Sequence, residues 1–437
     1  CVETLQPRSP APGKVGPMMA AALLDWAESH QIRKELVSIY EFNSFNRGLV
    51  TTGDVQAGTI VLSVPRPLAL SDVGAASSPE LAQVLDDLSP LSAMHLLALQ
   101  LLIECNKGEA SLWWPWLQML PGAEQLDGVL FWGDRDWDLA RGCTRIKSLH
   151  EEVETCLLKA YSKVLSPLFS CVPPRLLEFD LEKWRWANGI CLSRAFELQV
   201  HQDKHLLLVP LIDMLNHSQV LAERKGSCVR FDTDADQFVV CAAHELSPGE
   251  EVMGSYGRKP NAELLAHYGF ALSGNRFDTV EVSLALPMNP PDLMMLRMAA
   301  LPSTMFRGAG LTLFLRWKDC DASGESSKPE AAWELDISSD SLFVLRVCAA
   351  QSASQIQMLQ MHAMAGNASS SLQDPDLEKA SMILLREVCR ARLADYSELS
   401  CVDGDTPNWR QMCILETRRG ELTLLNAAIA WSEAQGH

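Results

Sequence analysis

Four stretches of the chain carry side chains able to hold, orient or exchange protons with a ligand. Leu208 to Ser218 runs from apolar residues into Asp213 and then Asn216-His217, and Gly249 to Gly257 leads to Tyr256. Trp186 to Phe196 contains Arg194, and Phe45-Asn46-Arg47-Gly48 opens a segment whose apolar run ends at Val64-Pro65. A carboxylate, a guanidinium, an imidazole, an amide and a phenol are thus on offer. Singly, each has a plain reading. Asn216-His217 suits a strand-end turn with a core histidine, and Tyr256 suits a buried tyrosine with one hydrogen bond. Arg194 suits an ion pair, Asp213 a turn or cap, and Asn46-Arg47-Gly48 a turn, because Asn and Gly tolerate positive φ. With a free pKa near 10, a tyrosine is better at positioning a group than at removing its proton.

Several chemistries lack their residues. No GxGxxG follows a strand, and there is no GxxxxGK[ST], GxSxG or HExxH. His201 and His205 share an i,i+4 spacing without a third ligand nearby, so a metal hydrolase is a weak alternative. The thirteen cysteines include no CxxC pair, and their scatter through apolar runs such as Phe238-Val239-Val240-Cys241 reads as reduced core thiols. No metal is expected.

The elements that must position these residues follow from periodicity and punctuation. A helix is expected from about Met19, then strands at Leu36–Tyr40, Gly48–Thr52 and Ile60–Val64. Residues 79 to 195 read as helical, with buried faces at Leu91-Met94-Leu97-Ala98-Leu101-Leu102 and Val153-Cys156-Leu157-Ala160-Tyr161-Val164. Val229–Phe231 and Phe238–Ala243 form a hairpin, and Asn261 caps a short helix that Gly269 ends. Beyond about residue 280 the chain reads as mainly helical, with Asp374-Pro375 and Thr406-Pro407 as helix starts and Gly324–Pro329 and Gly366–Ser371 as loops. Trp113-Trp114-Pro115-Trp116-Leu117 reads as an aromatic core of the helical segment.

Of 437 residues, 47% are apolar, and 37 Lys+Arg against 55 Asp+Glu give a net charge of −18. That is a globular composition with chain enough for two or three domains. The acidic balance argues against a general nucleic-acid or anionic-membrane binder, and no apolar stretch approaches about 20 residues. An acidic face would suit a partner with basic neighbours around its reactive residue.

Taken in chain order, from Phe45 through Trp186 and Leu208 to Gly249, around a helical insertion, the four segments resemble the SET-domain methyltransferases of the Rubisco large-subunit lysine methyltransferase branch, over roughly residues 20 to 275. Weaker similarity continues to the C-terminus, where Trp409 to Leu425, with Glu416 and Glu421-Leu422, looks like that family's substrate-binding domain. The resemblance implies an α+β fold: a flexible lead-in at 1–18, a SET β-fold at 19–275 split by a helical insertion at about 75–180, and an all-α domain at 280–437.

It implies S-adenosyl-L-methionine as cofactor and transfer of its methyl to a lysine of a non-histone protein. Phe45, Asn46, Arg47, Arg194, Asn216 and His217 would hold the cofactor, while Arg194, Asp213, Cys228, Tyr256 and Tyr268 would face the substrate, with Phe196 lining the channel. Tyr256 would be the catalytic residue. A lysine amine with a pKa near 10.4 costs roughly 4.6 kcal/mol to deprotonate at pH 7, and an apolar channel beside a sulfonium lowers that cost. Two positions depart from the family pattern: Asn46 replaces a glycine, and Cys228, with Phe231 close by, stands where an aromatic residue is common. The family also contains protein-histidine methyltransferases, and a SET-fold scaffold with weakened catalysis is a third reading. Rubisco, chloroplast aldolase, actin and nuclear proteins are family targets, so chloroplast, cytoplasm and nucleus all stay open. A monomer is expected.

Overall fold

The computed structural model describes residues 17–42, 47–74, 91–162, 179–223, 228–307, 310–318, 333–365, 374–396 and 406–435. The lead-in expected up to residue 18 lies mostly outside them, as do the loops 324–329 and 366–371. Helix α1 (Pro17–Ser29) precedes strands β1 (Val37–Glu41), β2 (Arg47–Thr51), β3 (Ile60–Pro65) and β4 (Leu70–Ser71). The insertion supplies α2 (Ala93–Lys107), α3 (Trp114–Leu117), α4 (Asp134–Leu139) and α5 (Thr144–Ala160), and α6 (Leu181–Arg194) leads out of it. Strands β5 (Phe196–Val200), β6 (Asp203–Leu208), β7 (Val229–Asp232) and β8 (Gln237–Cys241) follow, with helix α7 (Gln219–Glu223) between the two pairs. These strands make small antiparallel sheets, β1-β2, β3-β8-β7 and β4-β6-β5. Alternation puts Leu62 and Val64 of β3 and Phe238 and Val240 of β8 in one core with Leu97 and Leu101 of α2.

Helix α8 (Asn261–Glu263) widens into a π turn over Leu264–Tyr268. Gly269 ends it in the left-handed region at φ +79°, and a Cβ there would sit 2.6 Å from that of Asp127. Pro260 holds the N-cap position, so Asn261 is not the expected cap. Its amide instead bonds Leu272 O at 2.9 Å and Asp278 Oδ2 at 3.1 Å, and its Oδ1 accepts the Leu272 N–H at 2.8 Å.

The C-terminal region is mainly helical, but it is not all-α. It carries α9 (Pro291–Ala300), α10 (Ser339–Ala349), α11 (Ala353–Met364), α12 (Pro375–Ala394) and α13 (Trp409–Gln435). Among them lies a four-stranded sheet of β9 (Thr279–Leu284), β10 (Phe306–Arg307), β11 (Gly310–Trp317) and β12 (Leu335–Ile337). Asp374 caps α12 as expected, with Pro375 at its first position. The last helix starts on a different device from Thr406-Pro407. The Asn408 and Gln411 side chains each accept the other residue's backbone N–H, a reciprocal capping pair.

A second core joins these helices to Val129, Ile146 and Leu149 of the insertion. Where the two meet, Glu421 on α13 is buried among Tyr396, Arg392 and Cys143. Burial pushes its carboxyl up to about 7, against the Tyr396 hydroxyl and the Arg392 charge. A raised folded value means that the protonated acid is the better-held form. Its stabilisation is therefore present below the unfolded value near 4.5 and is lost as pH rises through 7. Glu421→Gln should flatten the pH dependence of stability across that window, and denaturant titrations at pH 4.5, 6 and 8 check it.

Candidate active site

The site is built by joining segments far apart in sequence. The N–H of Val252 donates to Leu49 O at 2.7 Å and that of Thr51 to Glu250 O at 2.9 Å, so residues 250–252 pair antiparallel with β2. Two residues on, Gly254 N–H donates to Asn216 O at 2.7 Å and Ser218 N–H to Gly254 O at 2.8 Å, a parallel bridge at His217. Asn216 closes the triangle by donating to Arg47 O at 3.1 Å and Glu251 Oε1 at 2.7 Å. Gly48 lets the segments approach closely at this crossing, since a Cβ would lie 2.6 Å from Glu251 Oε1 and 3.0 Å from Asn216 Nδ2 and displace those side chains.

Asp213 enters from a 3₁₀ turn, Ile212–Met214, set up by Leu211 at φ +68°. A left-handed leucine costs on the order of 1 kcal/mol, a strain found where surrounding structure fixes a functional turn. The Asp213 carboxylate is buried and accepts from Arg194 Nη1 at 3.3 Å and from the Trp116 indole at 3.2 Å. Burial raises its pKa, opposed by Arg194. Arg194, the last residue of α6, also donates to Asp213 O at 3.1 Å. Its buried Nε has no hydrogen-bond partner.

The His217 ring accepts the Tyr256 backbone N–H on Nδ1 at 3.0 Å, so its neutral form carries the proton on Nε2. Burial, then the nearby Lys259 charge, lowers its pKa to about 4. It stacks on Tyr256 at 5.2 Å, and Tyr256 stacks on Tyr268 at 4.6 Å. The Tyr256 hydroxyl donates to Leu215 O at 2.7 Å and is held protonated by burial, which raises its pKa. Burial lifts Tyr268 to about 12.

These groups meet at a cavity of about 440 Å³. Arg194, Asp213, Tyr256 and Tyr268 line it, with Phe196, Leu198, Leu206, Ile212, Leu215 and Val229 as its apolar wall and Lys259 as a second cation. Arg47, Asn216, His217 and Cys228 are not on that wall. Arg47 turns to the insertion, donating to Met119 O at 2.7 Å, and its pKa is lowered by burial and by Arg194. The Cys228 thiol donates to Met253 O at 3.6 Å, beside the lining Val229. Phe231 packs on Phe238 instead. Phe45 and Asn46 lie outside the described residues.

His201 and His205 do not converge on a metal. They sit in the β5–β6 hairpin, where His201 lies 3.5 Å from Asp236 and His205 bonds Asp72 at 3.1 Å. Among the described residues no group of three or more His, Cys, Asp or Glu could hold a metal ion, and no helix is long and apolar enough to cross a membrane. Nine described cysteines are free thiols. Sequence reasoning missed Trp116, whose spacing is that of a core residue, and Lys259.

The arrangement can take an amine. With its own proton committed to Leu215 O, the Tyr256 oxygen is left as an acceptor for an N–H, and the lining balances the cations Arg194 and Lys259 with the carboxylates Asp213 and Glu197.

No family model matches the chain. Curated relatives include the actin-histidine N-methyltransferases of Rhinolophus ferrumequinum, 24% identical over 270 residues, and Gallus gallus, 26% identical over 271. Each match covers 60% of this chain but only 44% of the relative, so the chain matches less than half the length of those proteins. Solved structures are similar over more of it. The SET domain of LSMT bound to lysine and AdoHcy gives a TM-score of 0.72 at 21% identity, covering 96% of this chain and 92% of that one. Rubisco LSMT bound to AdoMet gives 0.71 at 21% identity, with the same coverage. The fold is that of the Rubisco LSMT SET domain.

Proposed function

We propose that the chain is a protein N-methyltransferase that uses S-adenosyl-L-methionine and methylates a lysine side chain. The observation that carries the reading is the cavity, in which an apolar wall meets a tyrosine pair whose inner hydroxyl can only accept. A lysine stem of four methylenes would bury against Phe196, Ile212 and Val229. Its single nitrogen would reach Tyr256, which orients the uncharged amine. The apolar wall would lower the amine's pKa by desolvation, and Asp213, the buried carboxylate at the site, is already paired with Arg194.

The cofactor supplies an electrophilic methyl on a sulfonium, and the residues present fit it. The partnerless Nε–H of Arg194 suits a carboxylate, and the close crossing at Gly48, Asn216 and Glu251 is a cradle that a side chain at 48 would fill. Asn216 and His217 would hold the cofactor through the backbone that their side chains lock in place. The helices and sheet beyond residue 279 would serve as the substrate-docking domain.

A second reading, a histidine acceptor, is favoured by the names of the curated relatives. An imidazole carries a second nitrogen that needs its own partner. Both Asp213 oxygens are already engaged. Incubation with methyl-labelled S-adenosylmethionine and a whole-cell protein extract, followed by mass spectrometry of the labelled residue, tests both. Label on a lysine ε-nitrogen is expected. Label on a histidine ring would establish the second reading, and no transfer to any protein would end both.

A further inference from the structure

Six buried or half-buried tryptophans have a visible partner for their indole N–H. Those of Trp26, Trp113, Trp132, Trp184 and Trp186 donate to backbone carbonyls. The sixth, Trp116, donates to a side chain, Asp213 Oδ1 at 3.2 Å. Trp116 is fully buried on the short helix α3, 97 residues away in sequence, and Asp213 lines the cavity. The other Asp213 oxygen takes Arg194. We propose that Trp116 is a positioning residue, supplied by the helical insertion, whose indole N–H fixes the Asp213 carboxylate and through it holds Arg194 at the cavity.

The charged and titratable groups around Asp213 come from three elements: Arg194 at the end of α6, Arg47 on β2, and Tyr256 from the segment that crosses His217. The two arginines favour the carboxylate, and burial opposes it. The indole is a neutral donor to the oxygen that Arg194 does not reach. Without it, that oxygen is buried and unpaired, and the carboxyl binds a proton more readily. Arg194 then loses its charged partner and is free to leave the cavity. The helical insertion thereby becomes part of the active site.

The kinetic part of this inference rests on the methyl-transfer reading. Trp116→Phe keeps an aromatic ring and removes the donor. A fall of about tenfold in turnover is expected, with the acid limb of the rate profile moved up by about one pH unit. A packing defect alone would leave that limb in place, and an unmoved limb overturns the proposal. Should the variant fold poorly, the wild-type protein answers through its indole ¹⁵N–¹H spectrum. The Trp116 signal should titrate with pH, and Asp213→Asn should abolish that titration. A signal indifferent to Asp213→Asn overturns the proposal even in a protein that transfers no methyl. Absence of transfer by the wild type would sink the functional reading, and the kinetic role with it, while the indole spectrum still decides the bond.

Discussion

Tyr256→Phe should lower single-turnover methyl transfer by about a hundredfold while leaving the fold and the cofactor Kd nearly unchanged. The ring stacks between His217 and Tyr268, and phenylalanine preserves both contacts. What disappears is one oxygen, anchored by its bond to Leu215 O. That anchor fixes where the lone pairs point, so the acceptor is in place before substrate arrives. Removing one preorganised polar group at a reacting centre costs on the order of a hundredfold or more in other enzymes, about 2.7 kcal/mol. Proton abstraction by Tyr256 would predict a far larger loss and a strong pH dependence, because burial raises the phenol further above neutrality. Rates within threefold of wild type would remove Tyr256 from its assigned role.

The second large effect is on stability. Arg392→Ala should cost about 3–5 kcal/mol, the range for breaking a buried ion pair from one side. The side chain lies on α12 and ties four places together. It donates to Glu281 O of β9 at 3.2 Å, to Gly142 O and Thr144 of the insertion, to the Tyr396 hydroxyl at 3.1 Å, and approaches Glu421 of α13 at 3.9 Å. Its guanidinium also covers the Tyr396 ring at 4.7 Å. Truncation leaves those acceptors unpaired in the second core. Urea unfolding at pH 8, where Glu421 is mostly ionised, should show the largest loss, and Arg392→Lys should recover less than half, since an ammonium cannot span the same acceptors. A loss under about 1 kcal/mol would mean that water replaces the guanidinium at this junction.

Much of this architecture is legible in the sequence where local rules decide. The strands around Gly48–Thr52 and Ile60–Val64, the 229–243 hairpin and the Asp374 cap follow from alternation, turn residues and capping chemistry. The C-terminal sheet is harder to read. Its core strand, Gly310–Trp317, is a short apolar run that a buried helix would also show, and β10 and β12 have too few residues to display a period. Asn261 looks like a cap because its type suits one, but Leu272 and Asp278 claim its amide from eleven and seventeen residues away. Of the candidate site, Arg194, Asp213, Tyr256 and Tyr268 meet at one cavity. Trp116 is invisible because a tryptophan at a core position reads the same wherever its N–H points.

The crossing of residues 216–218 with 254–256, laid against β2, also governs when the protein becomes competent during synthesis. Until residue 256 has left the ribosome, the first 250 residues hold no closed cavity, only its separate walls. Three stretches more than thirty residues apart must then meet at nearly the same time, which puts assembly of the pocket late in folding and behind a large loop-closure cost. A shortened chain ending before this point lacks the wall that Gly254 to Gly257 give the cavity.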